Sequence, residues 1–171
     1  MRQNPVFADR PDFTLAHQLE ETKQGKSMEF ISDPNGTNMA LILSLEEPRS
    51  GVDFITKDDM NPQVALMKRP EEEYIDAHVH LDVKRALTGT PEILIISKGR
   101  MRADFFTEEK EYVTSREIAA GNILVLFSGG HGFKVLESVE MIEIKQGPYT
   151  HGLDKEKFDS RALLPVELLE S

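Results

Sequence analysis

Apolar residues in this chain come in short runs separated by turn residues. The run 39–43 (Met-Ala-Leu-Ile-Leu) is continuously apolar, as a strand covered on both faces requires. A second strand is predicted over 63–68, ended by Pro70, and 73–80 alternates loosely between apolar and polar positions. The run 92–97 (Glu-Ile-Leu-Ile-Ile-Ser) is rich in β-branched residues and bounded by Pro91 and Gly99. Further short strands are predicted over 100–107, 111–115, 122–127, 133–136 and 139–144. Turn signals divide them: Lys98-Gly99, Glu108-Glu109-Lys110, Ala120-Gly121-Asn122 and Gly129-Gly130-His131-Gly132. Many short strands with frequent turns point to a β-sandwich or barrel, not to βαβ units.

The ends of the chain read differently. Residues 1–37 form a polar, turn-rich arm punctuated by Pro5, Pro11 and Asp33-Pro34-Asn35-Gly36, with one short helix predicted over 12–23. Residues 38–149 hold the β core, and 150–171 a tail with a short helix expected around 166–169, behind Pro165. The expected organisation is therefore a single, mainly β domain over 1–171.

Composition narrows the chemistry. A chain of 171 residues can bury a sizeable core without staples. Twenty Lys and Arg against thirty Asp and Glu give a formal charge of −10, which repels nucleic-acid phosphates and anionic lipid. Nucleic acid and membrane are accordingly not expected as partners. No cysteine is present, so disulfides, thiolate metal sites and cysteine nucleophiles are excluded. The apolar runs are too short to span a bilayer and the first residues lack the core of a secretory signal, so a soluble cytoplasmic protein is expected. Phosphate-binding glycine loops and the nucleophile elbow of α/β-hydrolases are absent from the sequence.

Histidine carries the informative chemistry. In His78-Val79-His80, a strand would turn both imidazoles to one face, close enough to converge on one ion. Divalent metals accept imidazole nitrogen, and a carboxylate adds a charged oxygen ligand. Glu92 supplies such an acid at the start of the next apolar run, and His131 lies in a glycine-rich turn further on.

These residues resemble the two motifs of the cupin superfamily. The first motif has the form G-x5-H-x-H-x3,4-E-x6-G: His78 and His80 match its histidines, Glu92 its acid, and Gly99 follows Glu92 after six residues. The second has the form G-x5-P-x-G-x2-H-x3-N: Gly121 and Gly129 keep its spacing, and His131 stands one residue early. Eleven residues separate His80 from Glu92, and Glu72, Phe127 and Val135 replace the first glycine, the proline and the asparagine. The resemblance implies a double-stranded β-helix, the cupin jelly-roll barrel, with an irregular N-terminal arm and a short C-terminal helical tail. It implies a divalent metal (Mn, Fe, Ni or Zn) held in the barrel mouth by His78, His80, Glu92 and His131, and it favours a homodimer. The glycine-flanked histidine and the closing Lys145-Gln146-Gly147-Pro148-Tyr149 are similar to small cupins found with surface-polysaccharide and nucleotide-sugar genes.

The long connection after His80 is a candidate recognition loop. Within it Lys84 and Arg85 either neutralise an anionic substrate group or form a solvated pair. Tyr74 and Asp76 share the parity of the histidine pair and serve either as proton carriers, the catalytic candidates, or as hydrogen-bonded wall residues. Arg100 and Arg102 share a face of the following strand, and Arg102 is the further candidate for substrate binding.

Three functions fit these residues. The first is a metal-dependent cupin, an isomerase or oxygenase if it is an enzyme, acting on a small polar or anionic, sugar-like molecule. The second is a non-catalytic module that binds a sugar or small acid. The third is a metal-free isomerase or epimerase of nucleotide sugars, whose arginine, glycine and lysine around the histidine pair are not matched in Asp76-Ala77-His78-Val79-His80-Leu81.

Overall fold

The structure, a computed structural model, describes residues 28–45 and 51–170. The helix predicted over 12–23, with His17, lies outside them. The chain is mainly β, and its main antiparallel sheet curls into a half-barrel.

Two long strands shape that curl. The runs 92–97 and 100–107, expected as separate strands, continue into one another as β5 (Glu92–Phe106), and 133–136 joins 139–144 in β8 (Gly130–Lys145). β5 and β8 pair along their whole lengths, with register shifts between Ile96 and Lys98, Lys98 and Arg100, and Arg100 and Met101. Such irregularities bend a ladder and sharpen its twist without ending it. Gly99 sits at the bend with φ +77°, and a Cβ there would fall 1.9 Å from the Ser138 carbonyl oxygen. Only glycine combines that backbone angle with that approach.

The remaining strands flank the bent ribbon. The first half of β5 pairs with β7 (Asn122–Leu126), which continues to β2 (Asn38–Ser44) and β1 (Met28–Ser32). The second half pairs with β6 (Tyr112–Ala119). β1 falls in the stretch expected to be irregular. Its alternation of Met28 and Phe30 with Glu29 and Ile31 is too short to stand out, yet each side finds cover in the fold.

Both faces of the sheet bury apolar side chains. On the concave face Ile31, Met39, Ala40, Leu94, Ile96, Met101, Ala103, Phe105, Ile118, Leu124 and Leu126 form one cluster. On the convex face Leu41, Leu43 and Val125 pack with Ile55, Val64 and Leu66 from the region of a hairpin, β3 (Gly51–Phe54) and β4 (Ala65–Lys68). Burial of each large aliphatic or aromatic side chain contributes about 1.5–3 kcal/mol. β4 corresponds to the predicted strand at 63–68, whereas β3 is too short to carry a readable period.

Polar contacts close the remaining sides. Arg116 on β6 reaches Glu29 on β1 at 2.9–3.2 Å, tying two strands that are not neighbours in the sheet. Arg100 at the bend holds Glu117 of β6 and Glu137 of β8. After β8 the chain crosses the convex face, forms a 3-10 turn at Ser160–Leu163 and ends in the helix α1 (Val166–Glu170).

One expected element is absent. Residues 73–80 form no strand, and no regular element lies between β4 and β5. The pair His78 and His80 is thus not presented on a strand face. The apolar positions Val79, Leu81 and Val83 alternate as a strand would, but they are 82%, 77% and 61% exposed, and no described residue pairs with them in a ladder. Alternation supplies a strand pattern, and a strand additionally needs a neighbouring edge to satisfy its backbone.

Candidate functional site

Glu92 opens β5 directly after the buried Pro91. Its parity places it on the concave face, in the row Ile31, Ala40, Leu126, Glu92 and Lys145 that crosses five strands. His131 pairs with Phe105 near the other end of β5, also on the concave face. The bend at Gly99 folds those two ends toward each other. Glu92 Oε2 lies 3.4 Å from His131 Nε2, with side-chain exposures of 15% and 30%. Lys145 Nζ stands 3.9 Å from Glu92 Oε1 and 3.9 Å from Glu143 Oε1.

Burial holds the His131 imidazole below its ordinary pKa, while the Glu92 carboxylate pulls it back up and Lys155 lowers it further. A neutral ring in the Nε2–H tautomer donates to Glu92 and leaves Nδ1 as an acceptor. The Phe133 ring, 5.4 Å from the imidazole between centroids, and the half-exposed Val135 continue the same face toward solvent. The result is an apolar concave surface ending in a histidine, two carboxylates and an ammonium group.

The other residues singled out in the sequence lie elsewhere. His78 and His80 face each other, with ring centroids 5.1 Å apart, and His78 Nδ1 is 3.2 Å from the Asp76 carbonyl oxygen. Tyr74, Asp76, Lys84 and Arg85 are exposed on the same extended segment. Among the described residues no three histidine or acidic side chains are grouped so that they could hold a metal ion. The four expected ligands therefore meet in two pairs, Glu92 with His131 and His78 with His80, and Lys145 beside Glu92 occupies ground where a cation would be repelled. In this arrangement the residues do not fit a four-ligand metal centre.

Arg102 faces the opposite way, with Asp104 on the convex side. Its Nε and Nη2 donate to the two Asp104 carboxylate oxygens at 2.8 and 3.2 Å, and Nη1 donates to the Leu168 carbonyl at 2.6 Å. Ser115 donates to Asp104 at 2.5 Å, and the Tyr112 hydroxyl is 3.0 Å from Ser115 Oγ. Arg102 is 7% exposed and fastens the C-terminal helix to the sheet. Its parity with Arg100 is as read from the sequence, but that parity leads away from His131.

Lys145 enters the sequence reading only as the start of the closing run 145–149, not as a site residue. Its signal is the register alone, because it stands directly opposite Glu92, and no motif spacing carries that information. A second depression, a cleft of about 180 Å³, lies where the turn after β1 meets the connections from β5 to β6 and from β7 to β8. Asp33, Thr37, Thr107, Glu108 and Ser128 are among its lining residues, and the Asp33 carboxylate is already used by the amides of Asn35 and Thr37. No helix among the described residues is long and apolar enough to cross a membrane. No protein-family model, curated protein or solved structure matches the chain.

Proposed function

We propose that the protein is a cupin-type binding protein for a small polar or anionic, sugar-like molecule, which docks at the polar end of the half-barrel. The approach of Glu92 to His131 is the observation that carries this reading. The His131 ring offers an acceptor to a ligand hydroxyl, Glu92 orients the ring, and Lys145 attracts an anionic group.

The reading extends to a closed jelly roll. Among the described residues β8 pairs with β5 alone, so its second edge is open, and the alternating segment 78–84 has no ladder partner. An open edge and an unpaired alternating segment satisfy each other's backbone groups when they pair. That pairing completes the barrel wall, carries His78 and His80 toward Glu92 and His131, and brings Lys84 and Arg85 to the mouth. A divalent metal of the kind expected from the sequence (Mn, Fe, Ni or Zn) then finds its ligands. Lys145 beside Glu92 favours a second, metal-free reading in which the same pocket binds an anion directly.

Elemental analysis of untagged protein and a thermal-shift panel of uridine and thymidine diphosphate sugars separate the two. Metal at about one ion per chain, lost in His131→Ala, supports the first reading. Stabilisation by a nucleotide sugar without metal supports the second. An empty protein with no response across the panel overturns both. A homodimer belongs to the same proposal, and sedimentation at low concentration tests it.

A further inference from the structure

Three glycines surround His131, and the first two make close approaches of their own. Gly129 has φ +72°, and a Cβ there would lie 2.6 Å from the Phe106 carbonyl oxygen. Gly130 and Gly132 pair with Phe106 and Asp104, so both face the convex side while His131 between them faces the concave side. The C-terminal segment lies against these two positions. A Cβ at Gly130 would stand 3.1 Å from the Phe158 ring, and one at Gly132 would stand 3.6 Å from Ser160 Oγ.

The same segment is anchored on both sides of Phe158. The Phe158 ring meets Phe106 edge to face, with centroids 5.3 Å apart. Lys110 Nζ lies 5.9 Å from the Phe158 ring centroid and 2.7 Å from Glu156 Oε1. Further along, Leu168 receives its hydrogen bond from the buried Arg102. Phe158 is thus an aromatic plug pressed on the backbone of the residue that precedes His131.

We propose that residues 155–160 form a positioning strap for the concave site, in which Phe158 seated on Gly130 holds His131 against Glu92. The Phe158 ring meets Phe106, Lys110 and the backbone at Gly130. It acts through the backbone of Gly130, and it rests on the reading of His131 and Glu92 as the binding site. The glycine before His131 then has a physical meaning: without a side chain Gly130 admits the Phe158 ring on one face while the next residue presents its imidazole on the other. Release of the strap frees the backbone on both sides of His131 and separates the ring from its carboxylate partner.

The test uses the full chain and diethyl pyrocarbonate at one fixed pH, with modification of each histidine read by mass spectrometry. The exposed His151, which has no part in the proposed site, serves as internal reference. Phe158→Ala is expected to raise the His131 rate several-fold relative to His151, and Phe158→Leu to restore it. Hydrogen exchange over 155–164 reports whether the strap has left. An unchanged His131 rate with the strap released overturns the proposal, and so does a strap that stays protected without Phe158. Should Phe158→Ala fail to fold, Gly130→Val, whose Cβ would stand 3.1 Å from the ring and whose methyl groups need the space the ring fills, is read in the same way. No ligand enters this measurement. A chain that behaves as expected here but binds neither metal nor nucleotide sugar loses the proposed function and keeps the strap.

Discussion

Glu92 and His131 stand at opposite ends of the β5–β8 ladder and nevertheless approach to 3.4 Å. The bend at Gly99 brings them together, and the acid then raises the imidazole pKa that burial lowers. Replacing Glu92 by Gln removes the group that raises the His131 pKa most and leaves burial and Lys155, which lower it, opposed by the weaker pull of Glu143. The His131 titration followed by NMR is expected to move to lower pH in Glu92→Gln. A shift upward would place the ring in a different environment from the one described.

Stability carries the same signature. The folded chain holds His131 below the ordinary imidazole value of 6.5, chiefly through burial. Between the folded and unfolded values the unfolded chain binds more protons, so stability rises with pH in that window. The contribution is complete above about pH 6.5 and is lost as pH falls through the folded value. Denaturant unfolding of wild type and His131→Gln across this range checks the sign: the wild type loses stability on acidification, and the variant loses less.

Removing Arg102 leaves the Asp104 carboxylate buried without its bidentate partner. Breaking a buried pair from one side costs about 3–5 kcal/mol. Arg102→Ala is expected to destabilise by that order and to expose α1 to hydrogen exchange, since the Leu168 carbonyl loses its donor as well. By contrast, the partly exposed pair of Glu29 and Arg116 is expected to contribute under about 1 kcal/mol and to fade at high salt. Chemical denaturation of Arg102→Ala and Glu29→Gln separates the two cases.

Gly99 and Gly121 both have positive φ, and they differ in surroundings. A Cβ at Gly121 meets nothing within 4 Å, whereas one at Gly99 meets the Ser138 carbonyl at 1.9 Å. Gly121→Ala is expected to cost about 1–2 kcal/mol of backbone strain. Gly99→Ala is expected to cost much more, because the β5–β8 bend must open. Near-equal unfolding midpoints for the two variants would contradict the role given to the bend.

The short apolar runs between turn residues were enough to place most of the β structure, because strand burial writes itself into local composition. The runs at 39–43, 63–68, 92–97 and 122–127 each lie within or overlap a strand of the structure. β1 and β3 escaped because a four- or five-residue strand with mixed side chains has no period to read. Residues 73–80 erred in the other direction, since alternation is local and a ladder partner is not.

For the candidate site, chemistry was legible and assembly was not. The types and spacings of His78, His80, Glu92 and His131 marked them in the sequence, and side-chain parity placed Arg100 and Arg102 on one face. Which of these meet depends on a bend at one glycine and on register shifts in a long ribbon, which bring Glu92, Lys145 and His131 together and turn Arg102 away. Local sequence determines what each residue can do and which way it alternates. Proximity across the sheet comes from how the whole ladder curves, a sum of twists and close approaches that no short stretch of the chain contains.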